Sequence, residues 1–349
     1  MKKILVVGPS WVGDMMISHS LYRTLKTIHQ NIKIDVIAPN WCRALLNKMP
    51  EVSQAISMPL GHGCLGISLR RQLAIHLRTQ CYDQSYILPN SFKSALVPFI
   101  AQIPIRTGWR GEMRYWLLND IRILDKAAFP QMVQRYVALA YKKDLVKNYD
   151  KIPKPILWPQ LFITETEILQ SRYIFHIPKH LQIIGFCPGS EFGPAKRWPT
   201  YHYAKLAQLL FAAHGYQIAI FGSQKDTHIA KDIQQLLSTD CRQYCFNLVG
   251  KTTLEQVVNL LASCQAVVTN DSGLMHIAAA LNRPLVALYG PSNPAFTPPL
   301  SNRVEILRLI TGYYKVRKGS SESGYHQSLI DIKPELVITA ITKLLSENQ

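Results

Sequence analysis

Short apolar runs alternate with longer amphipathic runs along this chain, and the alternation restarts once after a proline-rich segment. The segment is KIPKPILWP at 151–159, with three prolines in nine residues. Because proline interrupts helices and central strands, we place a linker there. Alternating strand-like and helix-like runs are typical of α/β domains with parallel sheets, and 349 residues exceed what one core usually organises. We therefore predict two domains, at 1–160 and 161–332.

The predicted elements describe the same arrangement twice. We expect strands at 3–7, 33–37, 84–88, 182–186, 216–221, 265–269 and 285–288, and helices at 14–28, 201–214 and 254–263. The strand–loop–helix beginning recurs after the linker, which favours two Rossmann-like domains facing across a cleft. The last residues, about 333–349, are predicted to form a helix that packs back on the first domain.

The first loop, GPSWVGDM at 8–15, begins like a phosphate-binding loop, because four residues separate Gly8 from Gly13. Such a loop requires lysine and then serine or threonine next, whereas Asp14 and Met15 follow here. The carboxylate argues against nucleotide phosphate at this loop. At the start of a helix the macrodipole favours the ionised form of Asp14. The spacing leaves two roles open for it, a general base or a helix cap.

The loop CPGSEFGPAKRWP at 187–199 follows a strand and precedes a helix in the second half. Ser190, Lys196 and Arg197 offer hydrogen-bond donors at the carboxyl edge of a strand, where ligands of α/β sheets bind. These donors and the helix start favour a diphosphate ligand. The alternative is a surface loop with two solvated cations.

A second turn, TNDSGLMH at 269–276, also follows an apolar strand and opens a helix. Its predicted donor-binding residues are Asp271, Ser272, Gly273 and His276. Asp271 and Ser272 are in cap positions, and Gly273 permits close approach of the backbone to a phosphate. A single histidine one turn into a helix also suits a purely structural role, so both possibilities stay open for His276. The turn YGPSNP at 289–294 follows the next strand.

The net charge of +17 is unevenly distributed. Residues 1–160 hold 22 Lys and Arg against 9 Asp and Glu, a net of +13, and 161–349 hold 17 against 13, a net of +4. The first half therefore suits an anionic partner, with general solubility as the alternative. We predict that Lys93, Arg106 and Arg110, in loops after strands, bind the phosphate or carboxylate groups of a substrate.

The sequence lacks the motifs that are typical of several classes of protein. No Asp-x-Asp pair is present to hold a divalent cation on a diphosphate, so we expect neither a metal nor another cofactor. The seven cysteines have no zinc-like spacing and fit reduced thiols. A dinucleotide dehydrogenase would need the motif Gly-x-Gly-x-x-Gly after the first strand. A nucleic-acid-binding module would need a motif of basic and aromatic residues. We find neither motif in this sequence. The uncharged run at 284–302 contains five prolines, so we expect no membrane-spanning helix, and we see no secretory signal.

Together these loops resemble the bacterial ADP-heptose:lipopolysaccharide heptosyltransferases of glycosyltransferase family 9, and within that family the heptosyltransferase II group. The likeness runs nearly end to end. The segments that carry it are GPSWVGDMM at 8–16, LPNSFKSALVPF at 88–99, RTGWRGEMRY at 106–115, GFCPGSEFGPAKRWP at 185–199, TNDSGLMHIAAALNRPLVALYGPS at 269–292, and the tail TGYYKVRKG to GYHQSLIDI at 311–332. The resemblance implies a GT-B fold, with an acceptor-binding first domain and a donor-binding second domain. It also implies inverting transfer of heptose from ADP-heptose to the first heptose of the lipopolysaccharide inner core.

The resemblance also assigns roles to matching residues. Asp14 matches the family's catalytic base, and Lys196 matches the lysine that binds the donor diphosphate and stabilises its charge. The acceptor cations then meet phosphate or a Kdo carboxylate of lipid A-linked core. We expect a cytoplasmic monomer that works at the inner face of the inner membrane. One departure is the loop Gly222-Ser223-Gln224-Lys225-Asp226, where family members carry a Glu that holds the ribose.

Two alternatives remain from the residues alone. A GT-B-fold sugar-nucleotide epimerase or hydrolase would use the same donor loops and need no acceptor. A basic nucleic-acid-binding protein would account for the charge but not for the loops.

Overall fold

The computed structural model describes residues 1–61, 63–191, 193–312, 316 and 324–347. It comprises two compact units, residues 1–162 with 295–297, and residues 163–294 with 298–349. The chain leaves the first unit at Phe162, just after the proline-rich segment. Within the resembling tail at 311–332, residues 313–315 and 317–323 lie outside the described residues.

The first unit is built on a parallel sheet. Its strands are β1 (Lys2–Val7), β2 (Ile32–Pro39), β3 (Val52–Met58), β4 (Gln84–Ile87), β5 (Ile105–Trp109) and β6 (Asp120–Arg122). Its helices are α1 (Val12–Ile28), α2 (Arg43–Leu46), α3 (Ile67–Arg78), α4 (Leu96–Ile100) and α5 (Met132–Ala138). Among the described residues the strand order is β3-β2-β1-β4-β5-β6, with every neighbouring pair parallel. The residues from Ile4 to Val7 in β1 are all buried, as expected of a central strand covered on both faces.

The second unit repeats this design. Its strands are β7 (Ile183–Cys187), β8 (Gln217–Ile220), β9 (Cys245–Asn247), β10 (Ala266–Asn270), β11 (Leu285–Leu288) and β12 (Val304–Leu307). Its helices are α6 (Glu165–Ile174), α7 (Thr200–His214), α8 (Thr227–Gln235), α9 (Thr239–Arg242), α10 (Leu254–Ala262), α11 (Gly273–Ala280), α12 (Gln327–Ile330) and α13 (Pro334–Ser346). In the described part of this unit the order is β12-β11-β10-β7-β8-β9, again parallel throughout.

Both sheets therefore have the Rossmann strand order, which confirms the predicted α/β class with two Rossmann-like domains. In this order the direction of strand addition reverses between β1 and β4, and between β7 and β10. At such a switch point the loops after the two strands leave toward opposite faces of the sheet, and a crevice forms at the carboxyl edge. These two edges are where ligand-binding residues are expected.

Most predicted elements are present near their predicted positions, and local signals explain their ends. Thr253 caps α10 by accepting a hydrogen bond from Gln256 N at 3.2 Å. Gly215 ends α7 with a φ of +67°, the left-handed conformation that favours glycine. Among the described residues, no helix combines the length and the apolar composition needed to cross a bilayer.

The last helix lies elsewhere than predicted. We expected residues 333–349 to pack on the first domain, whereas α13 packs against α7 and β11 of the second unit. Val337, Ile341 and Leu344 of α13 are part of the buried core of that unit. The apolar face of the helix is therefore covered there.

Candidate active site

The carboxyl edge of the first sheet brings together the predicted site loops of the first unit. β1 and β4 are neighbours at the switch point, so the loops that follow them begin side by side. Asp14 lies at the start of α1 after the first loop, and Lys93 lies in the loop after β4. Arg110 directly follows β5, the next strand along the sheet. Three predicted site residues thus lie on segments that start from one edge.

Asp14 is the third residue of α1, and the N-cap residue of that helix, Trp11, provides no side-chain cap. The Asp14 carboxylate forms no hydrogen bond or ion pair with any described residue, so a capping role has no contact to support it. Burial raises the pKa of Asp14 to about 6. Desolvation therefore disfavours the ionised form of Asp14, which we had expected the helix macrodipole to favour. A carboxylate with this pKa is still mostly ionised at neutral pH and is more basic than an ordinary aspartate.

The guanidinium of Arg114 joins the loop after β4 to the end of β5. It is 2% exposed and donates to five oxygens: Pro89 O (2.6 Å), Asn90 Oδ1 (3.0 Å), Ser91 O (3.4 Å), Ser94 Oγ (3.0 Å) and Trp109 O (2.7 Å). Burial lowers the pKa of Arg114 to about 10, so it stays charged at neutral pH. Most of its partners lie 20 to 25 residues away in the chain, so no local signal in the sequence reveals this role.

A second set of contacts joins the same two loops. The Glu112 carboxylate accepts a hydrogen bond from Phe92 N at 2.7 Å. A Cβ atom on Gly111 would lie 2.7 Å from Asn90 O, so only glycine fits without displacing that backbone. Lys93 therefore lies in a loop of fixed conformation.

The three predicted substrate-binding cations have different surroundings. Lys93 and Arg110 make no side-chain hydrogen bond or ion pair with the residues that the structure describes, and Arg110 is exposed. Arg106 lies near the amino end of β5 and donates to Ile103 O at 2.6 Å and to Leu117 O at 2.7 Å. That end of the strand is opposite the switch-point edge, so its position argues against the predicted role of Arg106. We keep Lys93 and Arg110 as the candidates.

At the switch point of the second unit, Lys196 and Asp271 form an ion pair. Lys196 Nζ lies 2.7 Å from Asp271 Oδ2, with exposed side-chain fractions of 22% and 16%. Lys196 ends the short turn after β7, and Asp271 directly follows β10. The predicted donor residues of the two loops are therefore in direct contact at the carboxyl edge.

Asn270, which was not among the predicted site residues, holds this arrangement together. Its buried side chain donates to Pro188 O at 2.7 Å and accepts from Trp198 N at 3.0 Å. One amide thus joins both ends of the loop at 187–199 to the end of β10. The signal available in the sequence was its place between an apolar strand and the Asp-Ser-Gly turn.

The start of α11 presents the rest of the predicted donor turn. Ser272 is the N-cap residue but makes no side-chain cap, and its hydroxyl lies 3.3 Å from Thr269 Oγ1. The cap expected from Ser272 is therefore not formed. Gly273 is the first residue of the helix, and His276 is buried one turn later. Burial lowers the pKa of His276 to about 4, an effect that the nearby Asp271 charge opposes, so its imidazole is neutral at physiological pH.

Two buried serine hydroxyls at this edge have no partner among the described residues. Ser190, which was predicted, and Ser292, which was not, are each 5% exposed. Ser292 lies in the turn after β11, and a Cβ atom on Gly290 of that turn would lie 3.5 Å from Ala195 O. The turn therefore passes close to Lys196. Buried hydroxyls normally have a hydrogen-bond partner, so these two atoms stand out.

The loop at 222–226, which departs from the family pattern, has two charged side chains that are paired with other residues of the protein. Asp226 accepts from Ser223 N at 2.9 Å and from Ser223 Oγ at 2.8 Å. Lys225 pairs with Glu191 at 2.8 Å on the exposed surface. No group of three or more His, Cys, Asp or Glu side chains that could hold a metal ion occurs in the described ranges.

Comparison with known proteins identifies the family. Residues 70–326 match the family model described as glycosyltransferase family 9 (heptosyltransferase). Lipopolysaccharide heptosyltransferase 2 of Escherichia coli K12 is 59% identical, and lipooligosaccharide heptosyltransferase 2 of Haemophilus influenzae is 55% identical, each over 99% of both chains.

The solved structures give the same result. The structure of E. coli ADP-heptose LPS heptosyltransferase II superposes with a TM-score of 0.91 at 56% identity, covering 100% of this chain and 99% of that one. This likeness confirms the expected GT-B fold. A UDP-GlcNAc 2-epimerase of Methanocaldococcus jannaschii shares the fold at 10% identity and a TM-score of 0.54. With the family model covering most of its length and full-length relatives above half identity, the chain belongs to glycosyltransferase family 9, the heptosyltransferases.

Proposed function

We propose that this glycosyltransferase moves L-glycero-D-manno-heptose from ADP-heptose to the first heptose of the lipopolysaccharide inner core, on heptosyl-Kdo2-lipid A. The observation that carries the chemistry is the Asp14 carboxylate, half-buried, with a raised pKa and no partner in the described protein. Full-length relatives named lipopolysaccharide or lipooligosaccharide heptosyltransferase 2 support the choice of sugar and acceptor.

In the proposed reaction, Asp14 takes the proton from an acceptor hydroxyl as its oxygen bonds to the anomeric carbon of the donor heptose. The bond from that carbon to the diphosphate breaks at the same time, and ADP leaves from the opposite face. Configuration is therefore inverted in a single displacement. A general base of this kind contributes about 10²–10⁴ in rate.

The donor is proposed to bind at the carboxyl edge of the second sheet. Lys196 and the N-terminus of α11, beginning at Ser272 and Gly273, stabilise the negative charge that grows on the leaving diphosphate. Asp271 holds the Lys196 ammonium in position. The neutral His276 behind this turn offers a hydrogen bond without adding charge. These groups supply the electrostatic stabilisation without a metal ion or other cofactor.

The hydroxyls of Ser190 and Ser292 are proposed to bind the same donor. Both are buried and unpartnered among the described residues; Ser190 lies in the loop that carries Lys196, and Ser292 lies in the turn that passes close to it. A phosphate or sugar oxygen would satisfy them, because a buried hydroxyl without a partner costs about 1–3 kcal/mol.

Acceptor recognition is proposed for Lys93 and Arg110. These cations have no protein partner in the described residues and lie on two joined loops, so they are suited to the phosphate or Kdo carboxylate of the acceptor. The acceptor's lipid part lies in the inner membrane. We accordingly propose a cytoplasmic monomer that works at the inner face of that membrane.

The proposal is tested by a transfer assay with a heptose-terminated acceptor, comparing ADP-heptose with UDP-glucose as donors. We expect heptose transfer from ADP-heptose and little transfer from UDP-glucose. Release of ADP should depend on the acceptor. Equal use of both donors, or turnover of ADP-heptose at the full rate without acceptor, would contradict the proposal and favour an epimerase or hydrolase.

A further inference from the structure

Four large hydrophobic side chains are exposed on the two joined loops of the first unit. Phe92 lies in the loop after β4, and Met113, Tyr115 and Trp116 lie between β5 and β6. Their exposed fractions are 40%, 77%, 53% and 81%, in that order. We refer to these four residues as the aromatic loop surface. Several large apolar side chains exposed on two joined loops are typical of a surface that meets an apolar partner.

The conformation of these loops is fixed, so the exposure is a feature of the fold. Arg114 lies between Met113 and Tyr115 in the chain. Its buried guanidinium anchors the loop by donating hydrogen bonds to Pro89 O and Trp109 O. Glu112 joins it to Phe92 through the backbone N–H of that residue. Glu112 and Met113 have φ values of +36° and +50°, which L residues rarely adopt. The loop therefore holds its arginine inward and its apolar side chains outward.

The border of the aromatic loop surface is positively charged. Lys93 is adjacent in the chain to Phe92, and Arg110 begins the loop that carries Met113. From residue 90 to residue 122 the only acids are Glu112 and Asp120. The Asp120 carboxylate is neutralised by Arg122 at 2.8 Å. An anionic surface is therefore the complementary partner.

We propose that the aromatic loop surface inserts into the headgroup region of a bilayer that contains anionic lipid. Tryptophan and tyrosine favour that region because it accommodates an apolar ring and a polar group together. The bordering cations attract anionic headgroups, and the buried apolar area adds to the binding. The choice of a lipid surface over a protein rests on the proposed function, in which the acceptor is embedded in a bilayer. The surface is continuous with the proposed acceptor residues Lys93 and Arg110.

The test is sedimentation of the full chain with vesicles, without donor or acceptor. Vesicles of phosphatidylethanolamine with about one third phosphatidylglycerol are compared with neutral phosphatidylcholine vesicles. The variant carries Met113→Gln and Trp116→Gln, two exposed positions whose replacement leaves the core intact. The matched control is Tyr173→Gln, an aromatic that is 82% exposed in the second unit.

We expect the parent and the Tyr173 control to bind anionic vesicles, and the double variant to bind them at least about ten-fold more weakly. Lipids with brominated acyl chains should quench part of the tryptophan fluorescence of the parent, and Trp116→Phe should remove that part. Equal vesicle binding by parent and double variant would overturn the proposal. So would a parent that binds no vesicles, or one that self-associates through these residues without binding lipid.

Kinetics separate this proposal from the proposed function. The double variant should transfer heptose to a de-acylated, water-soluble acceptor at the parent rate, and lose activity on acceptor embedded in vesicles. If the parent binds vesicles but transfers heptose to neither acceptor, the proposed function is wrong, and the proposal that the aromatic loop surface binds lipid is retained. If the parent and the double variant use the embedded acceptor equally well, the proposal that the aromatic loop surface binds lipid is wrong, and the proposed function is retained.

Discussion

Lys196 Nζ and Asp271 Oδ2 lie 2.7 Å apart, so the cation assigned to the donor diphosphate already has an anionic neighbour. Lys196→Ala removes the cation and leaves the carboxylate facing the phosphates. The donor term of kcat/KM should therefore fall by about ten- to a hundred-fold, with the acceptor KM little changed.

Adding Asp271→Asn to this variant should restore part of the lost kcat/KM for the donor, because the carboxylate that repels the phosphates is then gone. Lys179→Ala, which removes a lysine from an exposed pair with Glu165, is the matched control and should change nothing. An unchanged donor KM and kcat in Lys196→Ala would reduce Lys196 to a structural partner of Asp271.

Asp14→Asn should abolish most turnover while leaving ADP binding intact, because the amide cannot accept the proton. We expect a loss of about 10²–10⁴ in kcat. For the parent, log kcat/KM should decline as pH falls below about 6, where Asp14 becomes protonated. Calorimetry with ADP serves as the control, and an equal loss of ADP affinity would assign Asp14 to donor binding.

The same pKa makes a prediction about folding stability. Burial raises the pKa of Asp14 from 3.8 to about 6, so folding favours its protonated form. Ionised Asp14 should therefore cost the fold on the order of 3 kcal/mol above pH 6 and nothing below its unfolded pKa. Asp14→Asn should unfold at a higher temperature than the parent near pH 8, with the difference vanishing near pH 3. Identical melting curves at both values would contradict a desolvated carboxylate.

Ser292→Ala should raise the donor KM about three- to ten-fold, the equivalent of one neutral hydrogen bond. Ser292→Thr keeps the hydroxyl and should recover part of the affinity. Ser20→Ala is the matched control, because the Ser20 hydroxyl is equally buried and unpartnered but lies in α1 of the first unit. If ADP binds Ser292→Ala as tightly as the parent, this hydroxyl has no role in donor recognition.

Lys93→Ala and Arg110→Ala should each raise the acceptor KM about three- to ten-fold and leave the donor KM alone. A dephosphorylated acceptor should shrink the effect, because the anionic partner is then missing. Arg106→Ala should instead lower stability by about 1–2 kcal/mol, through its bonds to Ile103 O and Leu117 O, without changing the acceptor KM. The reverse outcome for Arg106 would restore the original assignment.

Activity should survive dialysis against EDTA. Lys196 and the N-terminus of α11 supply the positive charge that a divalent cation would otherwise place on the diphosphate. The measurement is the transfer rate before chelation, after it, and after Mg²⁺ is restored. Complete loss that Mg²⁺ reverses would show that protein groups do not replace the metal.

The sequence was most informative where a strand is buried on both faces. β1, β7, β10 and β11 were predicted because their apolar runs are continuous. The edge strands β3 and β12 are largely half-exposed, and β6 and β9 have three residues each, so their patterns were too weak to read.

The site was predictable to the extent that ligand-binding residues follow strands. Asp14, Lys196 and Asp271 were found in this way, although the contact between Lys196 and Asp271 was not. Arg106 and Arg110 are four residues apart and appear equivalent in the sequence. In the structure they lie at opposite ends of β5. The distant partners of Arg114 leave no local pattern in the sequence, and the place of Asn270 after a strand does not reveal which residues it contacts.

Arg114 is a full positive charge held under two loops by oxygens that are all uncharged. Hydrogen bonds to neutral groups orient a guanidinium without cancelling its field, and the nearest acid, Glu112, offsets it only in part. Low-dielectric surroundings let that field extend further than water would allow. The loop surface therefore receives positive charge from a buried side chain as well as from its exposed cations. Anionic molecules would be drawn toward this edge before any contact forms, as long-range steering that persists when the exposed cations are removed.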